Sequence, residues 1–289
     1  MTEIDPARVA LSDVAATGLL TAFCHAVESR SERPILKDSR METIVDRLIP
    51  ILARSPGKFH RLLARGRFRT DLVVYFAIRA RKYDQYAKDF ADRHLDGCVV
   101  NLGCGLDTRF WRIDNGRLHF YDLDLPEMIT LKRELVPETD RYRFIAQSVL
   151  DSCWMDAVAA EPLRPFLFLA EGLFMYLPAA GVKALVVDLH ARFPGSELAF
   201  ETANARWLQP PLKWMMSIKM HRQLGLGKGA DYSFGIRDAH EPETWSSGIR
   251  LLEEWDFLDE DEEKLGFLRR LRNWKVFSRS QWTVRYSLG

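Results

Sequence analysis

An apolar run that breaks on Gly-Cys-Gly, in VVNLGCGLDTRFWRI (Val99–Ile113), restricts this chain more than any other feature. A buried strand stopped by glycines, with an acid close behind at Asp107, is how dinucleotide sites, phosphate loops and methyl-donor sites all begin. The surrounding pattern agrees with a strand there. From Gly97, short β-rich runs (CVVNLG, RLHFYDLDLP, YRFIAQSV, FLFLAEG, ELAFETA) are separated by helical segments (PEMITLKRELV, WMDAVAAE, AAGVKALVVDLHARF). Strands alternating with helices predict an α/β fold with a mostly parallel sheet covered on both faces.

The first third reads differently. DSRMETIVDRLIPILA and TDLVVYFAIRARKYDQYAKDFADRH place apolar residues three and four apart, as helices do. Residues 1–95 are therefore expected to form an N-terminal helical cap region on a core of 96–289. In the tail, IRLLEEWDFLD and SQWTVRYSLG read as strands with a helix over DEEKLGFLRRLRN, and a terminal strand inserted antiparallel beside its neighbour fits that order. The stretch of about 204–246 is too long for a plain connection and is expected to be a helical insertion over one end of the sheet.

The glycine turn narrows the ligand. A dinucleotide fold wants G-x-G-x-x-G. Gly103 and Gly105 fit, but Thr108 holds the third position, and the charge of Asp107 near the helix start repels a phosphate. No G-K-[ST] follows, which excludes a phosphate loop. What remains is a ligand that needs close backbone approach without phosphate, and S-adenosylmethionine is one. Asp122 and Asp124 lie about 20 residues beyond the first glycine, where a ribose-binding acid is expected. At this point a glycine turn in some other α/β protein stays open.

Bulk properties exclude other classes. The chain has 289 residues, 41 basic against 40 acidic side chains, and a net charge of +1, so nothing pulls it as a whole toward nucleic acid or anionic lipid. The uncharged stretch Val14–Val27 is shorter than the roughly 20 residues a membrane span needs. The cysteines Cys24, Cys98, Cys104 and Cys153 are scattered without a CxxC pair, which suits a reduced, cytoplasmic protein. The histidines stand alone and no metal-ligand set is visible.

VVNLGCGLDTRFWRI, YDLDLPEMITLKRELV and LAEGLFMYLP together resemble the leucine carboxyl methyltransferase family, a branch of the S-adenosylmethionine-dependent methyltransferases. GIRLLEEWDFLDE before a final strand is most similar to its bacterial tetracenomycin-type polyketide O-methyltransferases. The resemblance implies a Rossmann-like class I fold, a seven-stranded sheet with the last strand antiparallel, and a helical lid insertion. It also implies S-adenosylmethionine as cofactor and a small-molecule acceptor, methylated on a carboxylate or phenolic oxygen. Carried over residue by residue, Lys37 and Arg79 fall at the cofactor's methionyl end, and Gly103 and Gly105 at its close approach. Asp124, with Asp122 as the alternative, takes the ribose. Ser148 and Val149 stand where relatives have Asp-Leu beside the adenine. Glu171 falls near the cofactor's amino group, and Tyr176 near cofactor or substrate.

Methyl transfer from a sulfonium requires nucleophile, methyl and sulfur in line with water excluded. A phenol acceptor benefits from a base, for which His221 in the insertion is the candidate. Trp207, Trp214, Met215, Met216 and Met220 suit a flat apolar substrate under a cover hinged at Gly225, Gly227 and Gly229. Two other readings compete. One is nucleic-acid binding or RNA modification by the basic 54–82 segment, which interleaves Phe59, Phe68, Tyr75 and Phe76. The other is a catalytically silent cofactor-binding partner subunit. Oligomeric state leaves no trace in the sequence.

Overall fold

Both faces of the central strands are covered, so those strands read as near-continuous apolar runs rather than alternating ones. In a computed structural model, which describes residues 13–160, 165–210, 231–273 and 279–289, β1 (Cys98–Leu102) and β4 (Phe166–Ala170) are buried at every position. With β2 (His119–Asp124), β3 (Tyr142–Ala146) and β5 (Ser196–Asn204) they form a parallel set in the order β3-β2-β1-β4-β5. The chain builds outward from β1 in one direction and then returns to its other side with β4. That reversal opens a crevice at the carboxyl ends of the strands, where open α/β sheets bind ligands.

A two-residue β6 (Gly235–Ile236) runs beside the end of β5. The tail completes the sheet. β8 (Gln281–Leu288) slides between β5 and β7 (Ile249–Trp255) and is antiparallel to both. The seven-strand order with an inverted last strand is thus as expected, with β6 as an added stub. The predicted helix over the tail is corrected: Glu263–Asn273 forms 3₁₀ turns broken at Gly266, whose φ of +54° and ψ of −126° no helix accommodates.

Among the described residues four helices precede the sheet: α1 (Asp13–Ser29), α2 (Ser39–Arg54), α3 (Lys58–Ala64) and α4 (Thr70–Arg93). Asp38 caps α2, its Oδ1 accepting from Met41 N at 2.9 Å. Side chains of α1, α2 and α4 share one apolar core with Val99, Phe120 and Leu167 on one face of the sheet, together with the five-residue α5 (Arg109–Ile113) and α6 (Pro126–Leu135). The opposite face packs on α7 (Cys153–Ala159) and α8 (Ala179–Arg192). The helical first third is therefore continuous with the sheet's core. Among the described residues no helix is long and apolar enough to cross a membrane, and all four cysteines are free thiols.

Candidate functional site

The glycine turn opens onto a cavity of about 590 Å³ at the carboxyl edge of β1 to β4. Gly103 and Gly105 line it with φ of +63° and +51°, values that a side chain resists. A Cβ on Gly103 would stand 2.7 Å from Leu173 Cδ1. Across from Gly105, at van der Waals distance, sits Gly18 of α1. The turn is lashed to β2, because Gly103 N and Cys104 N both donate to Leu123 O. Thr108, in the place of a third glycine, is fully buried and donates to Asp38 Oδ2 at 2.6 Å, tying the turn to the cap of α2.

Asp124 lines the cavity just past the turn. Its Oδ2 accepts from Gly105 N and its Oδ1 from Leu125 N, both at 2.7 Å. Burial pushes its carboxyl up to about 6, partly offset by those two amides. Asp122, two residues earlier, is absent from the cavity wall. Lys132 of α6 holds it at 2.6 Å, Asn101 donates to it at 3.0 Å and the Tyr142 hydroxyl also donates to it. Its expected ribose role is corrected: every direction around that carboxylate is filled by protein. Ser148 and Val149 line the cavity as expected, and beside them Gln147 has a buried Oε1 with no hydrogen-bond partner among the described residues.

Arg79 and Glu171 meet in the wall. Arg79 Nε donates to Glu171 Oε1 at 2.8 Å and Nη1 to Glu201 Oε2 at 2.9 Å. They belong to a larger knot. Arg109 donates to Glu171 Oε2 at 2.6 Å, to Asp84 at 2.8 Å and to Asp107, and Arg112 joins Asp84, Asp38 and Asp107. Three arginines against five carboxylates (Asp38, Asp84, Asp107, Glu171, Glu201) leave this buried knot at a net −2. Although burial opposes it, the flanking guanidiniums hold the carboxyls of Asp107 and Glu171 below their usual range. Sequence reading missed Arg109, Arg112, Asp84 and Glu201. The signal was the pair of arginines following Asp107 in LDTRFWR, one turn of helix apart.

Lys37 is corrected as well. Its Nζ binds Glu42 Oε1 at 2.6 Å on an exposed surface, and Lys37 is not among the residues that line this cavity. The cavity wall also carries Leu72, Tyr75, Phe76, Tyr176, Trp207 and Tyr232, with the Arg79 guanidinium over the rings of Tyr75 and Phe76. Tyr176 packs edge-on against Tyr232 with centroids 5.4 Å apart, and burial pushes its hydroxyl up to about 12. Tyr232 donates to Gln281 Oε1 at 2.9 Å, so β8 also reaches the wall. Trp214, Met215, Met216, Met220, His221, Gly225, Gly227 and Gly229 lie outside the described residues. The described flanks of the insertion are 3₁₀ turns at Ala205–Leu208 and Glu241–Thr244 and the stub β6, where helix was expected.

In the basic 54–82 segment the last three cations are taken up by protein carboxylates, while Arg54, Lys58, Arg65, Arg67 and Arg69 lie exposed. Arg79 is buried in the knot, Arg81 pairs with Glu260 and Glu262, and Lys82 with Glu253. Phe59 and Phe68 pack on the core while Tyr75 and Phe76 face the cavity. Among the described residues no group of three His, Cys, Asp or Glu side chains could hold a metal ion.

Comparison with known proteins fits this geometry. Residues 18–190 match the profile of the family described as leucine carboxyl methyltransferase. The tetracenomycin polyketide synthesis O-methyltransferase of Streptomyces glaucescens is 32% identical over 87% of this chain and 86% of its own length. An S-adenosyl-L-methionine-dependent methyltransferase of Gibberella zeae is 27% identical over 94% and 93%. A DUF574 family protein from Streptomyces avermitilis, a crystal structure, has a TM-score of 0.57 over 86% of this chain and 97% of that one. At 15% identity it speaks for the fold alone. The glycine turn, the acid at the end of β2 and the carboxylate at the end of β4 all fall inside the matched profile, and the chain belongs to the leucine carboxyl methyltransferase family.

Proposed function

We propose that this S-adenosylmethionine-dependent methyltransferase methylates an oxygen of a small, flat, largely apolar acceptor, of the polyketide kind for which the Streptomyces glaucescens relative is named. The observation that carries the reading is one cavity whose wall combines the glycine turn and its polar groups with a set of aromatic side chains. Asp124 accepts from the ribose hydroxyls. Gln147 and Ser148 offer hydrogen bonds to the adenine edge, and Val149 packs on its face. Gln147 Oε1 is the orphan a ligand donor would satisfy. Arg79 has no hydrogen bond to Nη2 among the described residues and serves the methionyl carboxylate by that edge. The net −2 knot behind it favours a cationic ligand.

When bound, the cofactor supplies a sulfonium methyl that an in-line oxygen displaces. The chain's own part is positioning and exclusion of water. Tyr75, Tyr176 and Tyr232 all have hydroxyls raised by burial, so at neutral pH they keep their protons; Tyr75 and Tyr232 donate theirs to Glu201 and Gln281, which leaves Tyr176 to orient the acceptor. The described ends of the insertion contribute Trp207 and Tyr232 to the wall on the acceptor side. Calorimetry with S-adenosylmethionine and NAD side by side tests the cofactor. Mass spectrometry of aromatic hydroxy- and carboxy-acids incubated with enzyme and cofactor then tests the acceptor. Binding of S-adenosylmethionine alone and one added methyl on oxygen are expected. Preference for NAD, or transfer only to nitrogen or carbon, would overturn it.

A further inference from the structure

We infer that His25 of α1 receives the α-ammonium group of the methyl donor on its Nδ1. The inference rests on the proposed cofactor and adds a residue that no motif marks.

Gly18, Thr21, Ala22 and His25 line the cavity from one face of α1, at the three- and four-residue spacing that puts side chains in a row. Gly18 abuts the glycine turn, and His25 stands two turns further on, roughly 10 Å along the helix. The charged groups that act on it are Glu171 after β4, Asp107 of the glycine turn, Asp38 before α2 and Arg112 of α5. His25 is therefore beside the knot, at the end of the cavity where the amino acid of the cofactor is expected.

The imidazole is committed on one side only. Nε2 lies 3.2 Å from Phe76 O, a carbonyl that can only accept, so Nε2 carries the proton. Burial lowers the pKa of this residue, which is 4% exposed, and the ring is neutral. Nδ1 is then a bare lone pair, buried and without a partner among the described residues. Such an acceptor in a cavity wall calls for a ligand donor.

The neighbouring carboxylates already accept from guanidinium groups, which offset much of their charge. Glu171 Oε1 and Oε2 accept from Arg79 and Arg109. Asp107 Oδ1 accepts from Arg109 N and Arg112, and its Oδ2 from Asn101 and Arg109. The knot supplies a negative field, and His25 Nδ1 supplies an unoccupied acceptor within it. An ammonium is the donor that uses both.

The test measures binding of S-adenosylhomocysteine and of its deamino analogue, in which hydrogen replaces the amine. Wild type, His25→Phe and His25→Asn are compared by calorimetry. Wild type should prefer the amine-bearing ligand by about 30-fold, the size of a hydrogen bond to a charged group. His25→Phe should cut that preference to under about 3-fold while binding the deamino analogue as wild type does. His25→Asn, which can place an amide oxygen near the position of Nδ1, should recover part of it. In the unmutated protein, the ¹⁵N resonance of His25 Nδ1 should move on adding S-adenosylhomocysteine and stay still with the deamino analogue. An unchanged preference in His25→Phe, an equal loss of both ligands, or a still resonance would overturn the role while leaving the methyl-donor reading intact. Wild type that binds neither ligand would overturn both.

Discussion

The buried knot of arginines and the rim of the glycine turn lie on adjoining walls of one cavity, and both are rich in carboxylates. In the knot, Asp84, Asp107 and Glu171 each face at least one guanidinium, and their charges are spent on holding α4, α5 and the end of β4 together. At the rim, Asp124 is held, among the described residues, by two backbone amides and keeps capacity to accept from a ligand. β2 carries the contrast within three residues, since Asp122 is consumed by Lys132 and Asp124 is not. A carboxylate neutralised by protein cations is architecture; one steadied by neutral amides is available to a ligand.

Removing a cation from the knot should have the largest effect. Arg109→Met leaves Glu171, Asp107 and Asp84 short of a partner in a buried setting, and a loss of about 3–5 kcal/mol is expected from the denaturant midpoint. A loss under about 1 kcal/mol would mean the knot relaxes and the contrast with the rim is false. Next in size, Asp124→Ala should weaken S-adenosylmethionine binding about 100-fold, the loss of two charge-assisted hydrogen bonds. The amides of Gly105 and Leu125 lose their acceptor, so stability should fall by about 1–3 kcal/mol; a collapse of the fold instead would make Asp124 part of the architecture.

Acid should move the two regions in opposite directions. Asp107 and Glu171 have lowered pKa values in the folded chain, so the stability they contribute is present above the usual carboxylate range and is lost as pH falls through it. Asp124, raised to about 6, takes up a proton in the folded chain before the unfolded one does. Its contribution to stability therefore rises as pH falls through about 6. Over the same interval its capacity to accept from the ribose is lost, so affinity for the cofactor should drop up to about tenfold per pH unit below 6. Asp124→Asn should abolish that bend. The smallest expected effect is Lys37→Ala, an exposed ion pair worth less than about 1 kcal/mol, with cofactor affinity within about threefold of wild type.

Much of this was legible in the chain itself. Apolar runs ended by glycine or proline marked β1 to β5, because a sheet covered on both faces leaves few polar positions in its strands. Gly103, Gly105 and Asp124 stood out because their chemistry is local: a positive φ and an acid at a strand end. Asp122 could not be told from Asp124, since i and i+2 share a side of a strand and only Lys132, ten residues on, decides between them. Glu201 looked like a lone acid in a strand; its partner Arg79 is 122 residues away. Lys37 was misplaced because its partner, Glu42, comes from the first turn of the next helix. Gly266, which breaks the tail helix, could equally have been tolerated within one.

The inverted last strand has a consequence for how the protein is made. β5 ends at Asn204, and β8, which must pair along nearly all of it, begins at Gln281. At about 5–20 residues per second of translation, β5 waits roughly 4–15 s on the ribosome with its apolar edge unpaired. Such an edge is a template for joining the wrong chain. Until β8 leaves the exit tunnel the nascent chain also lacks Gln281 from its pocket wall, so a newborn copy cannot be rescued early by ligand, and slower elongation lengthens its exposure.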